Sequence, residues 1–302
     1  MAFENPTSFT FAHWSDYAAL CKPRVVGLIV FTAVIGMFLS TPEGVDIFLL
    51  IAATVGIGLA ATSAAALNHV IDSRADALME RTRNRPLPQG GLTRRHALFF
   101  AITMGVVAMY ILIVFVNALT AALTFASLIG YAVIYTMYLK HATPQNIVIG
   151  GAAGALPPVI GWTIATGTIS IEPIILFLII FIWTPSHFWA LSLYKSGDYK
   201  KAKIPMLPVI SGVKTTKINI LVYSLAMLPI VIAPYFFNFA GIFYLISTVL
   251  MTLYYNYLCL KLFKSNVTKT SNKIARKVFV YSIFYLFLIF LILLIDKIAG
   301  LY

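Results

Sequence analysis

Nine stretches of this chain are long and apolar enough to cross a hydrocarbon core of roughly 30 Å, which takes about 20 helical residues. They lie near 25–40, 46–68, 97–116, 118–138, 147–167, 172–194, 218–240, 241–263 and 278–299. The first is short and gains a turn from Ala18 to Arg24. Several are separated by only a few residues, so those neighbours form antiparallel hairpins. The alternation of apolar and polar residues that marks a membrane β-barrel is absent. Lipid offers no partner to an unpaired backbone group, so the spans are helical. Of all residues 60% are hydrophobic and 11% charged, against about 45–50% and about 25% in a soluble domain. Disorder, a coiled coil and an ordinary soluble enzyme are thereby excluded. The expected fold is all-α: a polytopic bundle of nine helices forming one membrane domain over residues 1–302, with cytoplasmic loops at about 69–96 and 195–217.

The net charge of +12 would in a soluble protein suggest nucleic acid. Here it reads as orientation, because short cytoplasmic loops collect Lys and Arg. In a nine-span arrangement 21 of the 22 basic residues fall on one side, and only Lys297 falls on the other. The amino terminus is therefore expected in the cytoplasm and the carboxyl terminus outside, with no nucleic-acid partner. The basic cluster Lys261–Lys277 reads as a topology signal that also touches anionic lipid head groups. The first 20 residues hold Glu4 and Asp16 and no Lys or Arg, unlike a cleavable signal or a mitochondrial transit segment. A bacterial inner membrane is the expected location. Cys21 and Cys259 are the only cysteines and read as reduced thiols.

The most informative stretch is Asn68 to Asp76. On a helix Asn68, Asp72 and Asp76 turn only about 40° per step and form one polar stripe. Carboxylates stacked at a helix carboxyl terminus repel one another and the helix dipole, so a cation must compensate. Mg²⁺ suits such hard oxygen ligands, completing its shell with water and substrate phosphate oxygens. Arg81, Arg83 and Arg85 just downstream carry forked guanidiniums that match phosphate. Acids for a metal beside arginines for an oxyanion make a diphosphate site. The plainer alternative is a set of salt bridges on a solvated loop, but a polar stripe running into a membrane span points to function. Glu80 is a lesser addition to the metal shell.

The pattern Asn68-x3-Asp72-x3-Asp76 followed by Arg81-Thr82-Arg83-Asn84-Arg85-Pro86-Leu87-Pro88 resembles the first aspartate-rich motif of the UbiA-type intramembrane prenyltransferases. That resemblance implies a nine-span helical enzyme that moves an isoprenoid from its diphosphate to an acceptor, with Mg²⁺ bridging acids and diphosphate. Trp183-Thr184-Pro185-Ser186-His187-Phe188-Trp189, Ile204-Pro205-Met206-Leu207-Pro208, Cys21-Lys22-Pro23-Arg24 and Gly150-Gly151-Ala152-Ala153-Gly154 are similar to the branch that farnesylates haem. The implied substrates are farnesyl diphosphate and haem b, for terminal-oxidase biogenesis, with haem A synthase or oxidase assembly factors as partners. The alternatives are prenylation of an aromatic or quinone precursor such as 4-hydroxybenzoate, and, from another class, a transporter of anionic phosphate compounds.

The family's second motif usually carries two acids four apart, whereas here Tyr194 stands at the first position and only Asp198 is acidic. Lys195, Lys200, Lys201 and Lys203 are placed to neutralise the diphosphate instead. His187 reads either as a hydrogen-bonded core residue or as a group that ligates haem iron or positions the vinyl group. His69 is a second such group or an orienter of the metal stripe. His96 and His141 read as loop residues, and His13 precedes the first span. The site this implies comprises Asn68, Asp72, Asp76, Arg81, Arg85 and His187 in catalysis, with Asn68, Asp72 and Asp76 on the metal. Lys22, Arg24, His69, Arg83, Tyr194, Asp198 and Lys203 bind substrate. Gly150, Gly151 and Gly154 are expected to let helices approach closely.

Overall fold

The computed structural model describes residues 13–41 and 44–300. Glu4, and Pro42 and Glu43 in the first outer link, lie outside the described residues. Every regular element among the described residues is a helix. They are α1 (Trp14–Leu20), α2 (Pro23–Leu39), α3 (Ile47–Leu78), α4 (Pro86–Gln89), α5 (Arg94–Phe115), α6 (Ala118–Ala142), α7 (Asn146–Thr166), α8 (Ile171–Tyr194), α9 (Ser196–Lys201), α10 (Leu207–Ile210), α11 (Gly212–Phe236), α12 (Ile242–Lys264) and α13 (Thr268–Ile298). Eight of these are long and apolar enough to cross a membrane alone. The pair α1–α2, bent by 48°, makes the ninth. The chain is a multi-pass membrane protein of the expected class.

Capping residues set several starts. Asp46 accepts from the Leu49 N–H at 2.8 Å, Thr93 from His96 at 3.2 Å and Asn117 from Thr120 at 2.8 Å, each satisfying an otherwise orphaned donor. His96 is therefore in the first turn of α5 and His141 is in the last turn of α6, not in loops; hydropathy alone ends a helix where its apolar run ends. For the same reason α3 runs on to Leu78 and α13 begins at Thr268, well outside their apolar stretches. The α1–α2 bend falls at Lys22, held at φ +46° before Pro23.

Small residues bring the helices together. Ala60, Ser63 and Ala66 of α3 lie against Ala97, Ala101 and Ala108 of α5, Gly56 makes room for Leu112, and the Ser63 hydroxyl donates to the Ala101 carbonyl at 2.7 Å. The α2–α7 seam is tighter still. A methyl group built on Gly161 would lie 1.8 Å from the Ala33 carbonyl oxygen, and one on Gly36 would lie 2.2 Å from the Pro158 carbonyl oxygen. Gly150 and Gly151 of α7 fit the close-packing expectation, against Tyr135 and Thr184. Gly154 does not: nothing lies within 4 Å of its missing Cβ. The second half of the chain packs α8, α11, α12 and α13 around Trp189, Tyr244, Tyr255, Tyr285 and Phe290. Large apolar side chains such as Phe99, Val106 and Leu250 cover the perimeter, as lipid contact requires.

α6 departs from α geometry. Residues Gly130–Leu139 form a π-helix, a rare coil that concentrates at functional sites. It turns Thr136 and Lys140 toward the end of α3.

Candidate active site

Asn68, Asp72 and Asp76 are all buried on one face of α3, as the four-residue spacing predicts. Each meets a cation. Lys22 Nζ donates to Asn68 Oδ1 at 2.6 Å, Lys140 Nζ lies 2.6 Å from Asp72 Oδ2, and Arg85 Nη1 lies 2.6 Å from Asp76 Oδ2. Asn68 Nδ2 donates to Asp72 Oδ2 at 2.7 Å and to Thr136 Oγ1 at 3.2 Å. The Thr82 hydroxyl donates to the Asp76 carbonyl at 3.0 Å and curls the following loop back over α3. The salt-bridge alternative is thus half right: the bridges exist, but each runs from a half-buried cation to a carboxylate sealed inside the protein, where a charge without its partner is costly.

One oxygen is left over. Asp72 Oδ1 is buried with no hydrogen-bond partner, and an orphaned carboxylate oxygen facing this cluster is what a bound cation would satisfy. Among the described residues no three His, Cys, Asp or Glu side chains converge on a metal position. The protein therefore offers two carboxylates and the Asn68 amide oxygen, a hard-oxygen set that fits Mg²⁺ when substrate oxygens and water complete the shell.

The arginines separate. Residues 79–85 are a turn rather than a helix, so Arg85 folds back on Asp76 while Arg81 turns to the Tyr199 hydroxyl. Burial raises the Tyr199 hydroxyl above its ordinary pKa, and Arg81 opposes that rise. Arg81 also lies within electrostatic reach of Tyr194, so it links the loop after α3 to the end of α8. Asp198 keeps one buried oxygen without a partner. Arg24, Arg83 and Lys203 are exposed, and none is bonded to the acids.

His69 and His187 occupy different places. His69 is buried beside the stripe with no partner on either ring nitrogen. His187 lies seven residues before Tyr194 on α8, about 10 Å along the helix, and bonds to Ser282 of α13. Sequence reasoning missed Lys140, Thr136 and Tyr199. The available signal for Lys140 was a single basic residue closing a span whose loop needed no other charge.

Helical spans and an acid–cation cluster at the end of α3 define an intramembrane prenyltransferase architecture, and the chain belongs to the UbiA prenyltransferase family, whose model matches residues 29–295. It is 52% identical to the protoheme IX farnesyltransferase of Pelagibacter ubique over 286 residues, covering 95% of this chain and 94% of that protein. It is 50% identical to the protoheme IX farnesyltransferase of Nitrosococcus oceani, with 94% of each covered. Among solved structures the fold matches a digeranylgeranylglyceryl phosphate synthase with TM-score 0.78 at 18% identity, covering 94% of this chain and 98% of that one. It also matches a UbiA homolog from Archaeoglobus fulgidus bound to GPP and Mg²⁺ with TM-score 0.66 at 17% identity, covering 92% and 99%.

Proposed function

We propose that this chain transfers the farnesyl group of farnesyl diphosphate to a vinyl group of haem b, with addition of water, giving haem O and diphosphate for haem-copper oxidase biogenesis. The observation that carries the reading is the buried Asn68–Asp72–Asp76 stripe ringed by Lys22, Lys140 and Arg85. Identity of about half to protoheme IX farnesyltransferases along nearly the whole chain supports the acceptor.

Asn68, Asp72 and Asp76 would hold Mg²⁺, which supplies Lewis-acid stabilisation of charge on the departing diphosphate. Lys22, Lys140 and Arg85 are preorganised around the same point, and cations fixed where charge develops favour the transition state over the ground state. Arg81 from the loop after α3 and the Tyr199 hydroxyl from the second loop close the site by bonding to each other. As the C1–O bond breaks, its electron pair leaves with the diphosphate. The haem vinyl carbon then bonds C1, and water captures the porphyrin-stabilised cation with loss of a proton. The cationic loop ends support a cytoplasmic active site, an inner-membrane location and an outer carboxyl terminus. Haem A synthase and oxidase assembly factors are the expected neighbours.

Purified protein given labelled farnesyl diphosphate with haem b or 4-hydroxybenzoate should label only the haem, with a mass gain of farnesyl plus water. Label in the benzoate overturns the acceptor. In the same assay Arg85→Lys should weaken farnesyl diphosphate binding roughly tenfold, because a point charge replaces a fork that spans acid and phosphate. Unchanged affinity would remove Arg85 from the diphosphate site.

A further inference from the structure

We propose that His187 ligates the haem iron through an unprotonated Nε2, and that Ser282 is the positioning residue that fixes this tautomer. The inference rests on the haem-acceptor reading above and deepens it.

Counting protons assigns the tautomer. His187 Nδ1 lies 2.7 Å from Ser282 Oγ. That hydroxyl has one proton, and it is donated to the Phe279 carbonyl at 2.7 Å. Toward His187 the Ser282 oxygen can therefore only accept, so Nδ1 carries the hydrogen and Nε2 carries the lone pair. Ser282 cannot drift away, because its own carbonyl accepts from Trp183 Nε1 at 2.8 Å. The ring plane is fixed as well: His187 stacks on Trp183 at 4.2 Å and 21°, and on Phe279 at 4.6 Å and 27°. Nε2 has no hydrogen-bond partner among the described residues. A neutral imidazole whose rear nitrogen donates to a fixed acceptor, with its front nitrogen bare, is the form in which histidine binds a metal.

His69 has none of this. Both of its ring nitrogens lack a partner, so nothing fixes its tautomer, and Lys22 and Arg85 crowd it with positive charge.

His187 also stands where the reaction needs it. Phe279, which stacks on it, touches the Tyr194 ring at 6.2 Å, and Tyr194 is within reach of Arg81. Two aromatic rings, Phe279 and Tyr194, thus link His187 to the loop that faces the diphosphate end. Iron and vinyl carbon belong to one rigid macrocycle, so a ligand at His187 sets the vinyl group relative to the farnesyl C1.

The test uses full-length protein in detergent with added haem b, read by optical and resonance Raman spectra of the iron. Wild type should show a nitrogen-ligated iron. His187→Asn keeps a donor for Ser282 but has no lone-pair nitrogen. It should lose that signature and raise KM for haem at least tenfold, while KM for farnesyl diphosphate stays put. Added imidazole should restore the signature in His187→Ala. Ser282→Ala should keep it with haem bound roughly tenfold or more weakly, as for other groups that orient a ligand. The same iron spectrum in wild type and His187→Asn, or no rescue by imidazole, overturns the ligand assignment and leaves the haem-acceptor reading standing. A wild type that binds no haem b overturns both.

Discussion

Asp72→Ala and Asp76→Ala should each lower farnesyl transfer by at least about a thousandfold at saturating Mg²⁺, the scale on which removing a fixed electrostatic group slows an enzyme. Two losses combine at Asp72. Its free oxygen no longer meets the metal, and Lys140 and Asn68 lose the carboxylate that holds them in place. Removing one partner of a buried ion pair also costs about 3–5 kcal/mol of stability, so alanine alone mixes folding with chemistry. Asp72→Asn helps to separate them: it keeps the volume and an oxygen for Lys140, removes the charge, and should be equally inactive while lowering the unfolding midpoint in detergent less than alanine does. Turnover by Asp72→Asn near the wild-type rate would refute the metal role of the stripe.

The second large effect is on stability. Gly161→Ala places a methyl group 1.8 Å from the Ala33 carbonyl oxygen, which is backbone and cannot rotate aside. The helices α2 and α7 must separate, and Gly36 faces the Pro158 carbonyl across the same seam, so no slack exists one turn away. Overpacking typically costs about 1–3 kcal/mol, occasionally more, and a backbone clash belongs at the upper end. The yield of monodisperse protein after detergent extraction should collapse. Gly154→Ala on the same helix meets open space and should leave the yield unchanged or slightly higher, because alanine favours a helix over glycine by about 1 kcal/mol. Equal yields for the two variants would mean that α2 and α7 are not in contact as described.

The nine spans and the polar stripe were legible because both are local patterns. An apolar run reports its own length, and residues four apart on one helix share a face whatever the rest of the chain does. What stayed hidden depends on other elements. Lys140 is 68 residues from Asp72, and a lone lysine closing a span looks the same whether it meets water or a buried acid. Arg81 and Arg85 share a four-residue spacing like that of the acids, yet the turn at 79–85 sends them to different partners. The open space beside Gly154 and the crowding at Gly161 are equally invisible, since glycine in an apolar run reads alike in both places.

The distance in sequence between Asp72 and Lys140 has a consequence for biogenesis. As the chain leaves the ribosome, Lys22 is made before the acids and Arg85 follows Asp76 after nine residues, whereas α5 and nearly all of α6 must be threaded before Lys140 exists. Until then Asp72 waits at the bilayer edge without its lysine. The amino-terminal half of the protein can thus reach its final arrangement only after α6 has been inserted, and a nascent chain truncated before Lys140 would leave Asp72 with its Asn68 hydrogen bond but without its counter-charge.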